Sequence, residues 1–312
     1  MTESVPAIDA RGLTKRYGDP QNGLLAVDHI DVHVRRGDVF GFLGPNGAGK
    51  TTTIRMLTGL ARPTAGGARV LGLDLLRDLP RIKKRIGVVP EASNLYAELS
   101  AYDNLVFSMR LYGVPRNERA LRADELLEYF GLTGKRDVLF ARLSRGMKRA
   151  VTIAVALAHR PEIVFLDEPT TGLDVISARG LRRMVAGLRE QGVTVFLTTH
   201  YLEEADRLCD RVALLVHGRI VALDTVDGLK ARAQTATAVE VLLEGGPNGT
   251  ETRRVAGEDV AVAVRAALAE AERDGRRVLA VNTVRPTLED AFVQLTGLSA
   301  EIMKAEKGGK KR

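Results

Sequence analysis

Gly44-Pro45-Asn46-Gly47-Ala48-Gly49-Lys50-Thr51 fits the pattern Gly-x-x-x-x-Gly-Lys-[Ser/Thr], and no other feature of the chain restricts its fold as much. The loop follows a short apolar run, Val39–Leu43, and opens a stretch with helical spacing over residues 50–60 that Gly59 closes. A glycine-rich turn between a buried strand and a helix lets successive main-chain N–H groups converge on one anion, to which the helix N-terminus adds its dipole. The pattern arises by chance in about one chain in a hundred of this length, so its context decides, and strand–loop–helix is the context the mechanism requires. The expected ligand is ATP, with Lys50 on the β- and γ-phosphates, Thr51 Oγ on Mg2+ and Thr52 next to it in the first helical turn.

A second apolar run, Ile163-Val164-Phe165-Leu166, ends in Asp167-Glu168. Alone, such a strand is common. Beside a phosphate loop, Asp167 is placed to hold Mg2+ and Glu168 to orient and deprotonate an attacking water.

The rest of the chain supplies a scaffold. Its 312 residues, 45% hydrophobic and 27% charged, suit one large domain plus a small one, with a core that needs neither disulfide nor structural metal. Cys209 is the single cysteine and reads as a small core residue. No run approaches the roughly 18 apolar residues of a membrane span; the longest, residues 151–158, contains Thr152 and reads as a buried helix. Residues 1–11 carry acids and lack the apolar segment of a signal peptide, so a cytoplasmic location is expected. The net charge of +7 owes something to a terminal run (Lys304, Lys307, Lys310, Lys311, Arg312) that reads as a solvated tail over residues 299–312. With 4% aromatics and no tryptophan, the basic stretches lack stacking platforms, and no nucleic acid is expected as a partner.

Strands are expected at Ile8–Tyr17, 26–34, 68–73 and Ile86–Val89, and helices dominate residues 102–158. Residues 163–166 and 193–198 read as buried parallel strands joined by a helix over 177–191, and Arg211–Val216 with 219–223 as a hairpin around His217-Gly218. A linker of Ala, Thr and Gln at 233–238 separates a small domain, 239–298, whose last helix is expected from Pro286 to Gly297.

Leu143-Ser144-Arg145-Gly146-Met147-Lys148-Arg149, about 20 residues before the acidic strand, resembles the Leu-Ser-Gly-Gly signature of ATP-binding cassette (ABC) proteins. Further family elements follow in order: Tyr17 as an adenine-stacking candidate, Gly172-Leu173-Asp174 after the acidic strand, and Thr199-His200 ending the next. The resemblance covers residues 8–232. It implies an α/β P-loop ATPase core over 1–232 with an antiparallel β-subdomain and a helical subdomain at about 91–160, and it extends to a small C-terminal α+β domain. It further implies that His200 contacts the γ-phosphate, that Gly44–Thr51 and Asp174 bind nucleotide, and that two copies pair head to tail. Ser144, Arg145 and Gly146 of one copy then face the phosphate loop of the other.

Two positions depart from the family pattern. Glu91 stands where a glutamine is usual after the Ile86–Pro90 segment, and is expected to add a carboxylate to the metal site; Arg145 replaces the first signature glycine. The chain lacks the long coiled-coil insertion of DNA-repair ABC ATPases and the tandem cassettes of ribosome-associated ones. What remains resembles the ATPase subunit of a transporter whose permease is a separate chain docked on residues 91–129, at the cytoplasmic face of the membrane. Glu91, Ser144-Arg145-Gly146-Met147, residues 201–206 and Pro286-Thr287-Leu288-Glu289-Asp290-Ala291-Phe292 look like drug-resistance exporter ATPases of the daunorubicin type. A soluble ABC ATPase acting as a nucleotide switch is the other expectation, and the transported substrate is outside this sequence.

Overall fold

The computed structural model describes residues 5–233, 237–245, 249–257, 259–284, 286–299 and 301–304. Residues 234–236 of the expected linker and 300 and 305–312 of the expected tail lie outside them. By its internal contacts the chain divides into a larger unit, residues 1–225 with 301–312, and a smaller one, Val226–Ala300.

In the larger unit β1 (Ile8–Tyr17) and β2 (Leu24–Val34) precede β3 (Val39–Leu43), the glycine loop and α1 (Lys50–Leu57). Next come β4 (Ala65–Val70), β5 (Leu73–Asp74), α2 (Leu79–Lys83) and β6 (Ile86–Val89), then three helices, α3 (Ala101–Leu111), α4 (Arg116–Tyr129) and α5 (Arg145–Leu157). The chain returns through β7 (Ile163–Asp167), α6 (Val175–Glu190), β8 (Thr194–Thr199), α7 (Leu202–Leu208), β9 (Arg211–Val216) and β10 (Arg219–Thr225). An antiparallel sheet of order β2-β1-β4-β5 lies in the same core as a mostly parallel one of order β10-β9-β3-β8-β7-β6.

The continuous apolar runs of β3, β7 and β8 are buried on both faces, as parallel strands between layers must be. Phe196 at the sheet centre packs against Phe40, Phe42 and Phe165, each ring 5.5 Å away. Burial of each such ring stabilises the fold by about 1.5–3 kcal/mol. The strand order sets β8 between β3 and β7, so the C-terminal ends of all three emerge together. In open α/β sheets that edge is where ligands bind.

Several boundaries differ from expectation. Helix α1 ends at Leu57 because Thr58 turns its hydroxyl back onto Ile54 O and Gly59 adopts φ 71°. β4 stops at Val70, where Leu71 and Gly72, both at positive φ, turn the chain into β5. The helix after β7 starts at Val175, two residues before 177, because Asp174 caps it.

The smaller unit runs α8 (Val226–Ala233), β11 (Thr237–Glu244), β12 (Thr250–Gly257), α9 (Val260–Arg273), β13 (Val278–Val284) and α10 (Leu288–Thr296). Its antiparallel sheet, order β12-β11-β13, packs the Val239, Val241 and Leu243 face against Ala263, Ala267 and Ala271 of α9. The unit begins at Val226, six residues before the expected end of the cassette at 232: α8 packs against α10, with Val226 and Leu229 buried. Helix α10 starts after Pro286, where Thr287 and Asp290 form a reciprocal cap. α11 (Glu301–Lys304) belongs to the larger unit. Cys209 is buried, its thiol pushed up by burial, and so is unreactive. No helix among the described residues is long and apolar enough to cross a membrane.

Candidate nucleotide site

The glycine loop is held by its neighbours before any ligand arrives. A side chain at Gly44 would put Cβ 2.2 Å from Leu215 O, and one at Gly49, which has φ 108°, would put it 2.4 Å from Ala26 O. Ala48 O accepts from Gly218 N at 3.0 Å, and Gly218 O accepts from Asp28 N at 2.9 Å. The loop backbone is thereby sewn to β2 and the β9–β10 turn. Gly47 adopts φ 82°, Pro45 is half-buried and Asn46 exposed.

Lys50 opens α1 with its side chain buried and folded back over the loop. Its Nζ donates to Gly44 O at 2.5 Å and Pro45 O at 3.3 Å, and lies 3.1 Å from Glu168 Oε1. That last contact is an ion pair without an aligned hydrogen bond, so Oε1 is shielded from solvent yet has a lone pair to offer. The other carboxylate oxygen lies 2.9 Å from His200 Nδ1. Burial pushes the Glu168 carboxyl up, but the His200 hydrogen bond and the Lys50 ammonium outweigh it, and its pKa lies below the ordinary glutamate value.

Asp167 is buried beside it. Its Oδ1 accepts from Thr198 Oγ1 at 2.6 Å and from Thr51 Oγ1 at 3.3 Å. Glu168, at φ 46°, is held in the left-handed region by its N–H, which points to both the carbonyl and the hydroxyl of Thr198 at 3.1 Å. The ends of β3, β7 and β8 thus bring Lys50, Thr51, Asp167, Glu168 and His200 into one cluster, and Thr52 lies half-buried in the same helical turn. These groups can bind a triphosphate and hold a basic carboxylate next to it.

Other sequence candidates lie in different places. Ser144 caps α5, its Oγ accepting from Met147 N at 3.3 Å, with exposed Arg145 and then Gly146 opening the helix. Asp174 caps α6, accepting from Ser177 N and Ser177 Oγ at 2.9 Å each, and the two helix starts approach so closely that a Cβ on Gly146 would lie 2.5 Å from Ser177 Oγ. Tyr17 ends β1 partly exposed, with Lys15 Nζ 4.9 Å from its ring centroid. Glu91 is exposed.

A family model described as ABC transporter matches residues 27–171. The daunorubicin/doxorubicin resistance ATP-binding protein DrrA of Streptomyces peucetius is 37% identical to this chain, covering 98% of it and 97% of the relative. This chain belongs to the ABC transporter ATPases. The linearmycin resistance ATP-binding protein LnrL of Bacillus subtilis is 35% identical over 93% of this chain and 98% of its own length. The fluoroquinolones export ATP-binding protein of Mycobacterium tuberculosis is 40% identical over 93% of each. Among solved structures, an ATP-binding subunit of an ABC transporter superposes with a TM-score of 0.66 at 29% identity, over 72% of this chain and 92% of that one. A dimeric ATP-binding cassette bound to ADP and Pi gives 0.65 at 26%, over 70% and 98%.

Two residues of this ABC ATPase escaped the sequence reading. Thr198 binds Asp167 and Glu168 but looks like any polar residue in a strand. Arg149 reaches the backbone of both the β6 and β7 ends, and its signal was available: a cation on the stripe Arg149, Ile153, Ala156 that α5 buries.

Proposed function

We propose that the chain is the ATP-hydrolysing subunit of an exporter, working as a head-to-tail dimer at the cytoplasmic face of the membrane to drive a separate permease that expels a drug-like or lipid-like substrate. The observation that carries the ATPase chemistry is Glu168, a buried carboxylate kept ionised between Lys50 and His200, with Oε1 held by the Lys50 ammonium alone. The loop N–H groups of residues 44–49 and the start of α1 bind the triphosphate, and Lys50 exchanges Gly44 O, Pro45 O and Glu168 for phosphate oxygens. That exchange removes the cation from Glu168, leaving it to take a proton from the attacking water while His200 holds the other carboxylate oxygen. Tyr17 stacks on the adenine.

Thr51 and Asp167 are the residues that would hold Mg2+, with Glu91 adding a carboxylate. Hard oxygen donors in this number suit an ion that completes its shell with phosphate and water, and when bound it neutralises β- and γ-phosphate charge. Ser144, Arg145, Gly146 and Asp174 belong to the second half of the site, given to the nucleotide of the partner copy, a reading that the dimeric cassette above supports. The exposed apolar side chains Tyr96, Leu111, Tyr112 and Leu121 suit a permease contact within residues 91–129. Resistance and export proteins related over nearly the full length support the exporter reading.

The test is ATP-dependent transport in vesicles holding this subunit and its permease. Glu168→Gln is expected to retain ATP and to lose turnover by at least about a hundredfold, the usual weight of a general base. Normal hydrolysis by that variant removes Glu168 from the role.

A further inference from the structure

Helix α5 carries a cation into the core one turn after its start. Arg149 is 9% exposed, and among the described residues its guanidinium meets only main-chain carbonyls at hydrogen-bonding distance. Nε donates to Pro169 O at 3.0 Å, Nη2 to Asp167 O at 3.0 Å, and Nη1 to Pro90 O at 2.5 Å and Glu91 O at 3.4 Å. Burial pushes the group down to about 10, while the charges of Asp167, Glu91 and Glu168 pull the other way without bonding it directly. It therefore stays protonated at neutral pH. A buried cation that contacts carbonyls rather than a carboxylate is serving backbone geometry, not charge pairing.

Which backbone it serves is specific. Asp167 and Pro169 lie on either side of Glu168, whose φ of 46° is a conformation that L-residues avoid and that persists only when surroundings impose it. Thr198 holds the Glu168 N–H, and Arg149 holds the flanking carbonyls. The same fork reaches residues 90–91, where β6 hands over to the helical region.

We propose that Arg149 is a positioning residue for hydrolysis, fastening α5, the 90–91 segment and the turn bearing Glu168 into one unit so that the carboxylate is aimed correctly at the attacking water. This rests on the reading of Glu168 given above. The planar fork with its five donors ties two chain segments to its own helix at once, which a lysine ammonium on a flexible stem does not.

The experiment compares full-length wild type, Arg149→Lys and Arg149→Gln in steady-state ATPase kinetics, with binding of a fluorescent ATP analogue and thermal unfolding measured in parallel. Both variants are expected to lose about 10- to 100-fold in kcat, the cost of misplacing a reacting group by an ångström or less, while KM and analogue binding stay within about threefold of wild type. Wild-type kcat in both variants overturns the proposal. So does loss of analogue binding in both, since Arg149 would then be a folding or binding residue. If wild type itself does not hydrolyse ATP while the analogue binds, the underlying reading of Glu168 fails instead.

Discussion

The two ends of the proposed ATP site are built in opposite ways. At the phosphate loop, Lys50, Asp167, Glu168 and Thr198 are all buried and each is bound to another member of the group. At the start of α5, Ser144 and Arg145 are exposed, and among the described residues the hydroxyl of Ser144 serves only its own helix. A cation in the first turn opposes the helix dipole by about 0.3–1 kcal/mol, a cost that an arriving phosphate would offset. The first end is complete within one chain. The second is exposed, and on the proposed head-to-tail pairing it would meet the phosphates held by the partner copy.

The largest effect that could break this contrast is at Lys50. Lys50→Ala removes the one ammonium in the cluster, and a charge-assisted contact is worth ~1.5–3 kcal/mol. Titration calorimetry is expected to show ATP affinity reduced by roughly 10- to 100-fold in a single chain. Unchanged affinity would move the triphosphate away from this end.

The next effect separates the ends. Gly146→Ala pushes a methyl group to 2.5 Å from Ser177 Oγ, displacing the hydroxyl from Asp174. Loss of about one hydrogen bond, ~1 kcal/mol, predicts a roughly fivefold fall in ATPase activity with single-chain ATP binding unchanged. A loss of binding instead would mean that the two ends are not independent.

This contrast also explains what was legible in the sequence. The phosphate loop and the Asp167-Glu168 pair are contiguous segments whose chemistry repeats wherever the strand–loop–helix arrangement recurs, so spacing alone exposes them. Thr198 and Arg149 act on backbone atoms 18 to 59 residues away, and only the strand order β8-β7-β6 puts those atoms within reach. The large sheets were readable from apolar runs. β12, Thr-Glu-Thr-Arg-Arg-Val-Ala-Gly, was not, because an edge strand bonded along one side to β11 needs no apolar alternation; Arg253 pairs with Glu251 and Asp274 instead. The start of the smaller compact unit is hidden for a similar reason: composition changes after α8, but packing changes before it, at Val226.

The smallest predicted effect lies just past the other end of α5 and sharpens the comparison from the stability side. His159 stacks on Tyr112 with ring centroids 3.7 Å apart and planes 9° from parallel, and its Nε2 lies 3.0 Å from Ile86 O. Since a carbonyl only accepts, Nε2 carries the proton, and Nδ1 is buried without a partner among the described residues. Burial holds the pKa below the ordinary histidine value of 6.5, against the pull of the Ile86 carbonyl. The folded chain therefore binds fewer protons here than the unfolded one. The contribution of His159 to stability is complete above about 6.5 and is lost progressively as pH falls from there towards its folded pKa, by up to ~1.4 kcal/mol per pH unit. His159→Gln is expected to lower the melting temperature at pH 8 through the lost stack, and to flatten its decline between pH 6.5 and 5 relative to wild type. Parallel melting curves for the two proteins across that range would mean that water reaches His159, and that this end of α5 is as open as the one carrying Ser144.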